Sequence, residues 1–363
     1  MTAAIATPSS SATPGAIPAH QDAWTIRLAE SGMLPDVIVR AGIRGLLRDR
    51  LRQIDAGGVE ARTAREEAWI EHCRTAPVAV EQDAANRQHY EVPAAFYAAM
   101  LGKRKKYSCC WYGEGITTLD QAEEAALRIT ADRADLRDGQ RILELGCGWG
   151  SLSLWMAEHF PKARITGVSN SRSQREHILA EAAARGLTNL EIITCDLTGF
   201  DPGRRFDRVV SVECFEHLRN WPEMFRRIRS WLEPDGRLFI HVFTHRAASY
   251  PFADEGEDDW MSRHFFTGGQ MPADSLLLRF QDDLRPEAHW TWSGRHYGLT
   301  ADHWLANLDR NRAAALAALA AAGDKDPARQ VQRWRMFCMA CSELWHFRGG
   351  DEWPVSHYRL APR

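Results

Sequence analysis

The stretch that decides the fold is RILELGCGWGSLSLWMA, residues 141–157. It begins with a short run typical of a buried strand and ends in an apolar helical run. Between them stand Gly146, Gly148 and Gly150, in the spacing Gly-x-Gly-x-Gly. The first glycine permits a tight turn, and the other two let the backbone approach a ligand closely. Because free N–H groups at the start of the helix can also bind that ligand, the stretch predicts a nucleotide-binding turn.

Short apolar strands and helical patterns alternate on the carboxyl side of this turn. Strands are predicted at 163–168, 190–195, 206–212 and 236–243. Such alternation predicts a parallel sheet that is covered by helices on both faces. The fold class is therefore α/β, and the carboxyl ends of the strands are the expected place for a site.

The regions that flank this core differ from it in composition and pattern. Residues 1–21 are rich in Ala, Thr, Ser and Pro, so we expect a disordered tail rather than a signal peptide. Amphipathic helical patterns follow, and beyond residue 247 the alternation of strands and helices stops. The predicted organisation after the tail is a helical cap at 22–117, a nucleotide-binding core at 118–247, a lid and substrate-binding region at 248–346, and an edge strand of the core sheet at 347–363.

The overall composition excludes several classes of function. The chain has 363 residues, 26% of them charged, and a formal net charge of −3. We therefore expect no nucleic-acid partner and no strong attraction to an anionic membrane. No apolar run approaches the roughly 18 residues that cross a bilayer, so we expect no stable membrane insertion. Because no export signal precedes them, the eight cysteines are expected to be reduced thiols in the cytoplasm.

A cluster of ionisable side chains follows the fourth predicted strand, in SVECFEHLRN at 211–220. Its members are Glu213, Glu216 and His217. A histidine can titrate near neutral pH, and a carboxylate beside it can orient it or attract a cation. A surface turn is the alternative interpretation, but the position after a buried strand favours a proton-handling site. His241, alone on the fifth strand, fits either a core histidine or a member of this site.

The glycine spacing, and Glu144 just before it, indicate which nucleotide binds. Together with a helix predicted at 118–135, they resemble motif I of class I S-adenosylmethionine (SAM) methyltransferases more than a dinucleotide site. Most such enzymes bind the ribose hydroxyls with an acid, but here the second strand runs into Ser169, Asn170 and Gln174. Hydroxyl and amide groups can also bind a diol, without the charge. The adenine ring is expected beside Asp196 and Leu197.

Several longer motifs carry a narrower resemblance. GVSNSRSQ at 167–174, HYEVPAAFY at 89–97, YSCC at 107–110 and FEH at 215–217 resemble stretches of cyclopropane fatty acid synthases and their relatives. KKYSCCWYGEGITTLDQAE and EDDWMSRHFFTGGQMP are similar to stretches of one branch of that superfamily, the coclaurine N-methyltransferase-like alkaloid enzymes. The resemblance runs from about residue 34 to the C-terminus. It implies a Rossmann-like class I SAM methyltransferase sheet with an N-terminal helical layer and a C-terminal substrate-capping insertion.

The resemblance also implies roles for individual residues. Cofactor contacts fall to Tyr107, Ser108, Glu144, Gly146, Gly148, Gly150, Asn170, Gln174, Asp196 and Leu197. Glu216 and His217 match the catalytic pair of the alkaloid enzymes, while Glu213 and His241 are expected beside them. Substrate contacts are expected from Cys109, Trp260, Phe265, Tyr297, Trp334 and Phe337. In the lipid enzymes a bicarbonate is held by residues that match Cys109, Glu216, His241 and Tyr297.

These observations predict a SAM-dependent N-methyltransferase that acts on a hydrophobic, cyclic or aromatic amine and releases S-adenosylhomocysteine (SAH). The first alternative is a lipid enzyme that methylates or cyclopropanates an unsaturated acyl chain. Such an enzyme must meet a membrane, and only the arginine-rich helix at 34–54 offers a basic amphipathic face. The second alternative is a SAM-binding module without catalysis. A homodimer through the N-terminal helices is expected by analogy alone.

Overall fold

A seven-stranded sheet organises the part of the chain that the computed structural model describes, residues 22–80 and 92–363. The tail predicted at 1–21 and the first residues of HYEVPAAFY lie outside the described residues. In chain order the strands are β1 (Arg141–Leu145), β2 (Arg164–Ser169), β3 (Leu190–Thr194), β4 (Phe206–Val212), β5 (Leu232–Phe243), β6 (Tyr250–Pro251), β7 (Gln270–Met271), β8 (Leu284–Trp292) and β9 (Val355–Pro362). All but β6 and β7, which pair with each other, belong to the large sheet.

The large sheet has the strand order β3-β2-β1-β4-β5-β9-β8. The first five strands in that order are parallel, whereas β9 is antiparallel to both β5 and β8. The predicted α/β class with a Rossmann-like sheet is therefore confirmed. The prediction of a C-terminal edge strand is wrong, because β9 lies inside the sheet and β8 forms its edge. Almost every residue of β9 is buried, whereas β8 is buried only at its two ends, Leu284 and Trp292, and is partly or fully exposed between them.

Helices cover both faces of the sheet and form the N-terminal layer. They are α1 (Trp24–Glu30), α2 (Asp36–Asp55), α3 (Gly58–Thr75), α4 (Ala94–Met100), α5 (Leu119–Arg133), α6 (Ser151–His159), α7 (Arg172–Ala184), α8 (Trp221–Trp231), α9 (Trp260–His264), α10 (Arg295–Arg310), α11 (Arg312–Ala321) and α12 (Pro327–His346). Side-chain caps define several starts: Thr118 and Gln121 form a capping box at α5, and Asn220 caps α8. Because Asn220 caps α8, the turn that follows β4 ends at this residue.

Two of the five arginines of α2 are engaged by α12. Arg40 and Arg44 each donate to the carboxylate of Glu343 on α12, at 3.0 and 2.9 Å. The part of α2 that carries Arg40 and Arg44 therefore packs against α12. In the described part of the chain, no helix combines the length and the apolar character needed to cross a bilayer.

Glu30 joins the N-terminal layer to the lid region. Its buried carboxylate accepts hydrogen bonds from Trp260 at 2.8 Å, from Arg333 at 2.7 Å, and from Arg329. Burial alone would raise the pKa of Glu30, but these donors hold it at about 2. The hydrogen bonds of this carboxylate therefore hold α1 against α12.

Replacing Glu30 with glutamine is expected to lower the free energy of unfolding by about 2 kcal/mol at neutral pH. Because the folded pKa is below the ordinary one, this stabilisation is present above about pH 4.5 and is lost as the pH falls toward 2. Denaturant unfolding of the E30Q and wild-type proteins, from neutral pH down to about pH 3, measures the difference. Glu60→Gln, at an exposed position of α3, is the control. A difference that does not shrink in acid would show that ionisation of Glu30 is not its source.

Candidate active site

A pocket opens at the carboxyl ends of the parallel strands, where the sequence predicted a site. One side is formed by the glycine turn after β1, the loops after β2 and β3, and the turn after β4. The other side is formed by the end of β5 and by α10 and α12. Of the predicted cofactor contacts, the pocket is lined by Tyr107, Ser108, Glu144, Gly146, Gly148, Asn170, Gln174, Asp196 and Leu197.

The three glycines of the turn serve different purposes. All have positive φ: +76° at Gly146, +51° at Gly148 and +80° at Gly150. A Cβ at Gly146 would lie 2.8 Å from the sulfur of Cys214, and one at Gly150 would lie 2.6 Å from Ile178 on α7. A Cβ at Gly148 would meet nothing within 4 Å. Close approach of a ligand to the backbone is therefore possible at Gly148, whereas Gly150 packs against α7 and does not line the pocket, contrary to the prediction.

The nucleotide side of the pocket is polar but carries few free charges. The side-chain oxygen of Gln174 accepts a hydrogen bond from the Ser169 hydroxyl at 2.7 Å. Glu144 is buried and accepts a hydrogen bond from the Ser153 hydroxyl, and burial raises its pKa to about 8. Asp196 accepts two hydrogen bonds from Thr198, both at 2.7 Å. Open space at Gly148 and a polar, weakly charged rim suit a ligand with a ribose and a cationic centre, as SAM has.

Glu213 is the centre of a buried hydrogen-bond network. One carboxylate oxygen accepts from the backbone N–H of Cys109 at 2.8 Å and lies 3.1 Å from Nε2 of His241. The other accepts from the Tyr297 hydroxyl at 2.5 Å. Burial raises the pKa of Glu213, and the nearby ammonium of Lys106 opposes that rise. Its φ of +48° is uncommon for a residue with a side chain, which shows that the surroundings dictate this conformation.

This network does not fit a bound bicarbonate. Three of the four groups expected to hold one, on Cys109, His241 and Tyr297, already surround the carboxylate of Glu213. Glu216, the fourth, is not among the groups bonded to Glu213. Cys109 is buried and does not line the pocket, so its predicted substrate contact is not observed. The chain thus places its own carboxylate between the residues that match the bicarbonate ligands.

Glu216 and His217 lie in the short 3₁₀ turn Phe215–His217 directly after β4. Glu216 is only 1% exposed and lines the pocket, and its Oε2 has no hydrogen-bond partner among the described residues. Burial, and then the charge of Glu213, raise the pKa of Glu216 well above its ordinary value. The ring of His217 stacks on Phe266, with centroids 6.0 Å apart and planes 10° from parallel. The turn therefore presents a buried carboxyl group to the pocket.

Only part of the predicted substrate wall reaches the pocket. Tyr297 and Phe337 line it, whereas Trp260, Phe265 and Trp334 do not. Phe265 stacks behind Phe337 at 4.6 Å, and Trp334 packs edge-on against Phe337 at 5.4 Å. Trp260 donates its indole N–H to Glu30. Phe265 and Trp334 therefore support Phe337 from behind, and Trp260 packs against Phe265 at 5.3 Å.

Phe243, Phe266 and Lys106 are among the pocket residues that were not predicted from the sequence. Phe243 ends β5, a position that could have been noticed because strand ends carry the site in such sheets. Phe266 follows Phe265 directly in the predicted lid. Lys106 is 2% exposed and donates to the Ser108 hydroxyl at 2.5 Å and the Cys109 carbonyl at 2.7 Å.

Comparisons with known proteins agree with this geometry. The profile of the family described as Mycolic acid cyclopropane synthetase matches residues 79–351. (S)-Coclaurine N-methyltransferase of Thalictrum flavum subsp. glaucum is 34% identical over 337 residues, 92% of this chain and 93% of that protein. A crystal structure of coclaurine N-methyltransferase bound to N-methylheliamine and SAH is 33% identical, with a TM-score of 0.89 over 93% of this chain and 98% of that one.

A lipid enzyme is a more distant relative. The cyclopropane-fatty-acyl-phospholipid synthase of Escherichia coli (strain K12) is 25% identical over 324 residues, 88% of this chain and 76% of that protein. The predicted cofactor and enzyme class are confirmed by the family match together with the SAH-bound neighbour. The chain belongs to the mycolic acid cyclopropane synthetase family and is a SAM-dependent methyltransferase most similar to its coclaurine N-methyltransferase-like branch.

Proposed function

We propose that this methyltransferase transfers a methyl group to the nitrogen of a hydrophobic, cyclic or aromatic amine. The observation that carries the proposal is Glu216, a buried carboxyl group whose Oε2 has no hydrogen-bond partner among the described residues, in a pocket with aromatic walls. The two coclaurine N-methyltransferases named above support it, since they are named as N-methyltransferases and one holds N-methylheliamine. The acceptor amine of this chain is inferred from its own pocket and from that likeness together.

An amine needs help to become a nucleophile at neutral pH. SAM supplies a methyl group on a sulfonium, which an in-line lone pair can displace. An amine with a pKa near that of lysine is protonated, and exposing its lone pair costs roughly 4–5 kcal/mol at neutral pH. A pocket walled by Phe243, Phe266 and Phe337 disfavours the ammonium form by desolvation. Glu216, as a carboxylate, accepts the proton that leaves the nitrogen.

The other residues of the site position these groups. His217, stacked on Phe266, stands beside Glu216 and orients the departing proton. The carboxylate of Glu213 and the hydroxyl of Tyr297 form the floor between the two sides of the pocket. We assign SAM binding to the open backbone at Gly148, to the polar rim, and to the predicted contacts that line the pocket. Aromatic faces at Phe266 and Phe337 suit a substrate that carries positive charge while it binds.

The experiment that tests this function compares both acceptor classes directly. Purified protein is incubated with methyl-labelled SAM and a panel of tetrahydroisoquinolines and simple arylalkylamines, with phospholipid vesicles of unsaturated acyl chains in parallel. A methylated amine without labelled lipid is expected. Labelled lipid without a methylated amine would overturn the proposal in favour of the acyl-chain alternative. Turnover of neither, with SAM bound, would favour a binding module.

Two finer points are part of the same proposal. We place the enzyme in the cytoplasm, because none of its eight cysteines, all of which the structure describes, forms a disulfide. We also propose a homodimer through the N-terminal layer, because Trp24, Met33 and Val37 are each more than two-thirds exposed there. Sedimentation velocity of the wild-type protein and of a Val37→Glu variant measures the oligomeric state.

A further inference from the structure

Two buried histidines continue the Glu213 network into the sheet. His241 on β5 and His357 on β9 are register partners, and both are fully buried. Their ring centroids lie 4.4 Å apart, with the planes tilted by 33°. Nδ1 of His357 is 2.8 Å from a guanidinium nitrogen of Arg133 on α5. The proposed chemistry assigns no role to Arg133 or His357, although together they connect α5 to the pocket.

The arginine determines which nitrogen of His357 carries the proton. A guanidinium only donates hydrogen bonds, so Nδ1 of His357 must accept, and the ring proton is on Nε2. Burial, together with the charge of Arg133, keeps the pKa of His357 well below its ordinary value, so the ring is neutral. Arg133 is itself fixed by Trp290 and Trp292, with its guanidinium carbon 5.1 and 5.4 Å from their ring centroids. Arg133, which lies outside the pocket, therefore determines that Nε2 is the donor nitrogen of His357.

The carboxylate of Glu213 favours one tautomer of His241 from the other end, and the donor on His357 favours the same one. Both carboxylate oxygens of Glu213 accept hydrogen bonds, one from the Cys109 N–H and the other from the Tyr297 hydroxyl, so His241 donates from Nε2 and its Nδ1 is left as an acceptor. Nε2 of His357 and Nδ1 of His241 are both buried without hydrogen-bond partners among the described residues. One is a donor, the other is an acceptor, and their rings are in contact. The polar groups thus align in one direction, from the guanidinium toward the carboxylate.

We propose that Arg133 and His357 are positioning residues for methyl transfer, which hold His241 as the Nε2–H tautomer and Glu213 as an oriented anion. The inference rests on the proposed function, because it assigns Glu213 to the floor of a working pocket. No hydrogen bond joins the two rings, but the hydrogen bonds at the two ends and the ring contact between them are oriented the same way. Polar groups oriented in one direction polarise one another in a low-dielectric interior, so the cation on α5 can support an anion at Glu213. Neither Arg133 nor His357 lines the pocket, so both act through His241.

The test exploits two variants of similar size at position 357. Glutamine can accept from Arg133 and donate toward His241, whereas phenylalanine can do neither. Nitrogen-15 spectra of histidine-labelled, ligand-free protein report the tautomer of His241. We expect the Nε2–H form in the wild-type and His357→Gln proteins and a mixture of tautomers in His357→Phe. Arg133→Met, which keeps the aliphatic stem, is expected to give the same mixture if His357→Phe does not fold.

Activity supplies the second readout. His357→Phe is expected to lower kcat about tenfold and to move the acid limb of its pH profile upward by about one unit, while His357→Gln stays near wild type. Several charged and titratable groups lie close enough to Glu213 and the two histidines to influence this profile. They are Lys106, Cys109, Arg133, Glu213, Glu216, His241, His289, Tyr297 and His357. An Nδ1–H tautomer in wild type, or equal losses in both variants with no shift of the profile, would overturn the inference. The spectra need no substrate, so this outcome is separate from failure of the proposed function.

Discussion

Replacing Glu216 with glutamine is expected to lower kcat by about 10²–10³-fold with little change in SAM affinity. Glutamine has nearly the same shape, so the pocket is kept, but it cannot take a proton from the amine. Single-turnover rates with labelled SAM measure the transfer step, and calorimetric titration with SAH measures cofactor affinity. Glu176→Gln, on the exposed face of α7, is the matched control. Wild-type turnover in E216Q would show that the proton leaves by another route.

The pH dependence of the same variant separates the enzyme from its substrate. Burial raises the pKa of Glu216, and the carboxylate is the working form, so kcat of the wild type should increase with pH through that raised pKa. E216Q should lack this limb. Deprotonation of the amine also favours turnover at high pH, so the profiles are compared for two amines of different basicity. A limb that follows the amine pKa belongs to the substrate, and one that stays fixed belongs to Glu216.

Replacing Glu213 with glycine is expected to lower kcat at least about 10²-fold and to make the enzyme responsive to added small carboxylates. The change removes the group that Cys109, His241 and Tyr297 surround, and unpaired polar groups there each cost about 1–3 kcal/mol. Glycine suits the left-handed backbone, which relieves roughly 1–2 kcal/mol of strain, so the variant should fold better than Glu213→Ala. Because Glu213 lines the pocket, a small anion has a path to the space left behind.

Rescue is measured as kcat in formate, acetate or bicarbonate against chloride at equal ionic strength. We expect planar anions to restore activity and chloride to leave it unchanged. Glu213→Gln keeps the shape without the charge and should not respond to any of them. Full activity of Glu213→Gly without an added anion would show that the pocket needs no carboxylate at this place. Rescue by bicarbonate would show that the residue replaces a bound ion by a covalently attached one.

The parallel half of the fold could be predicted because buried parallel strands appear in sequence as short apolar runs. Residues 206–212, for example, form β4 as predicted. The position of β9 could not, because a strand pattern gives the alternation of side chains but not which distant strand pairs with it. Its neighbours, β5 and β8, come from separate parts of the chain. The local sequence pattern is thus sufficient to predict the strands, but it does not predict which strand lies at the edge of the sheet.

The site shows the same division. The position of Glu213 after β4 placed it near the cofactor turn, but its partners come from three distant segments, at Cys109, His241 and Tyr297. No spacing in the sequence specifies that these groups converge on one carboxylate. Similarly, Trp334 and Phe337 share a helical stripe, yet only Phe337 reaches the pocket. Which member of a stripe lines a cavity depends on the packing opposite it.

The interior place of β9 has a consequence for the order in which the protein can assemble. A growing chain contains β1 to β5 long before residues 355–362 have been made, so the parallel strands and the glycine turn can form early. The edge strand β8 has no partner in the sheet until β9 arrives beside it. His357 arrives with that strand. Synthesis therefore delivers a nucleotide-binding fold first and completes the surroundings of Glu213 last.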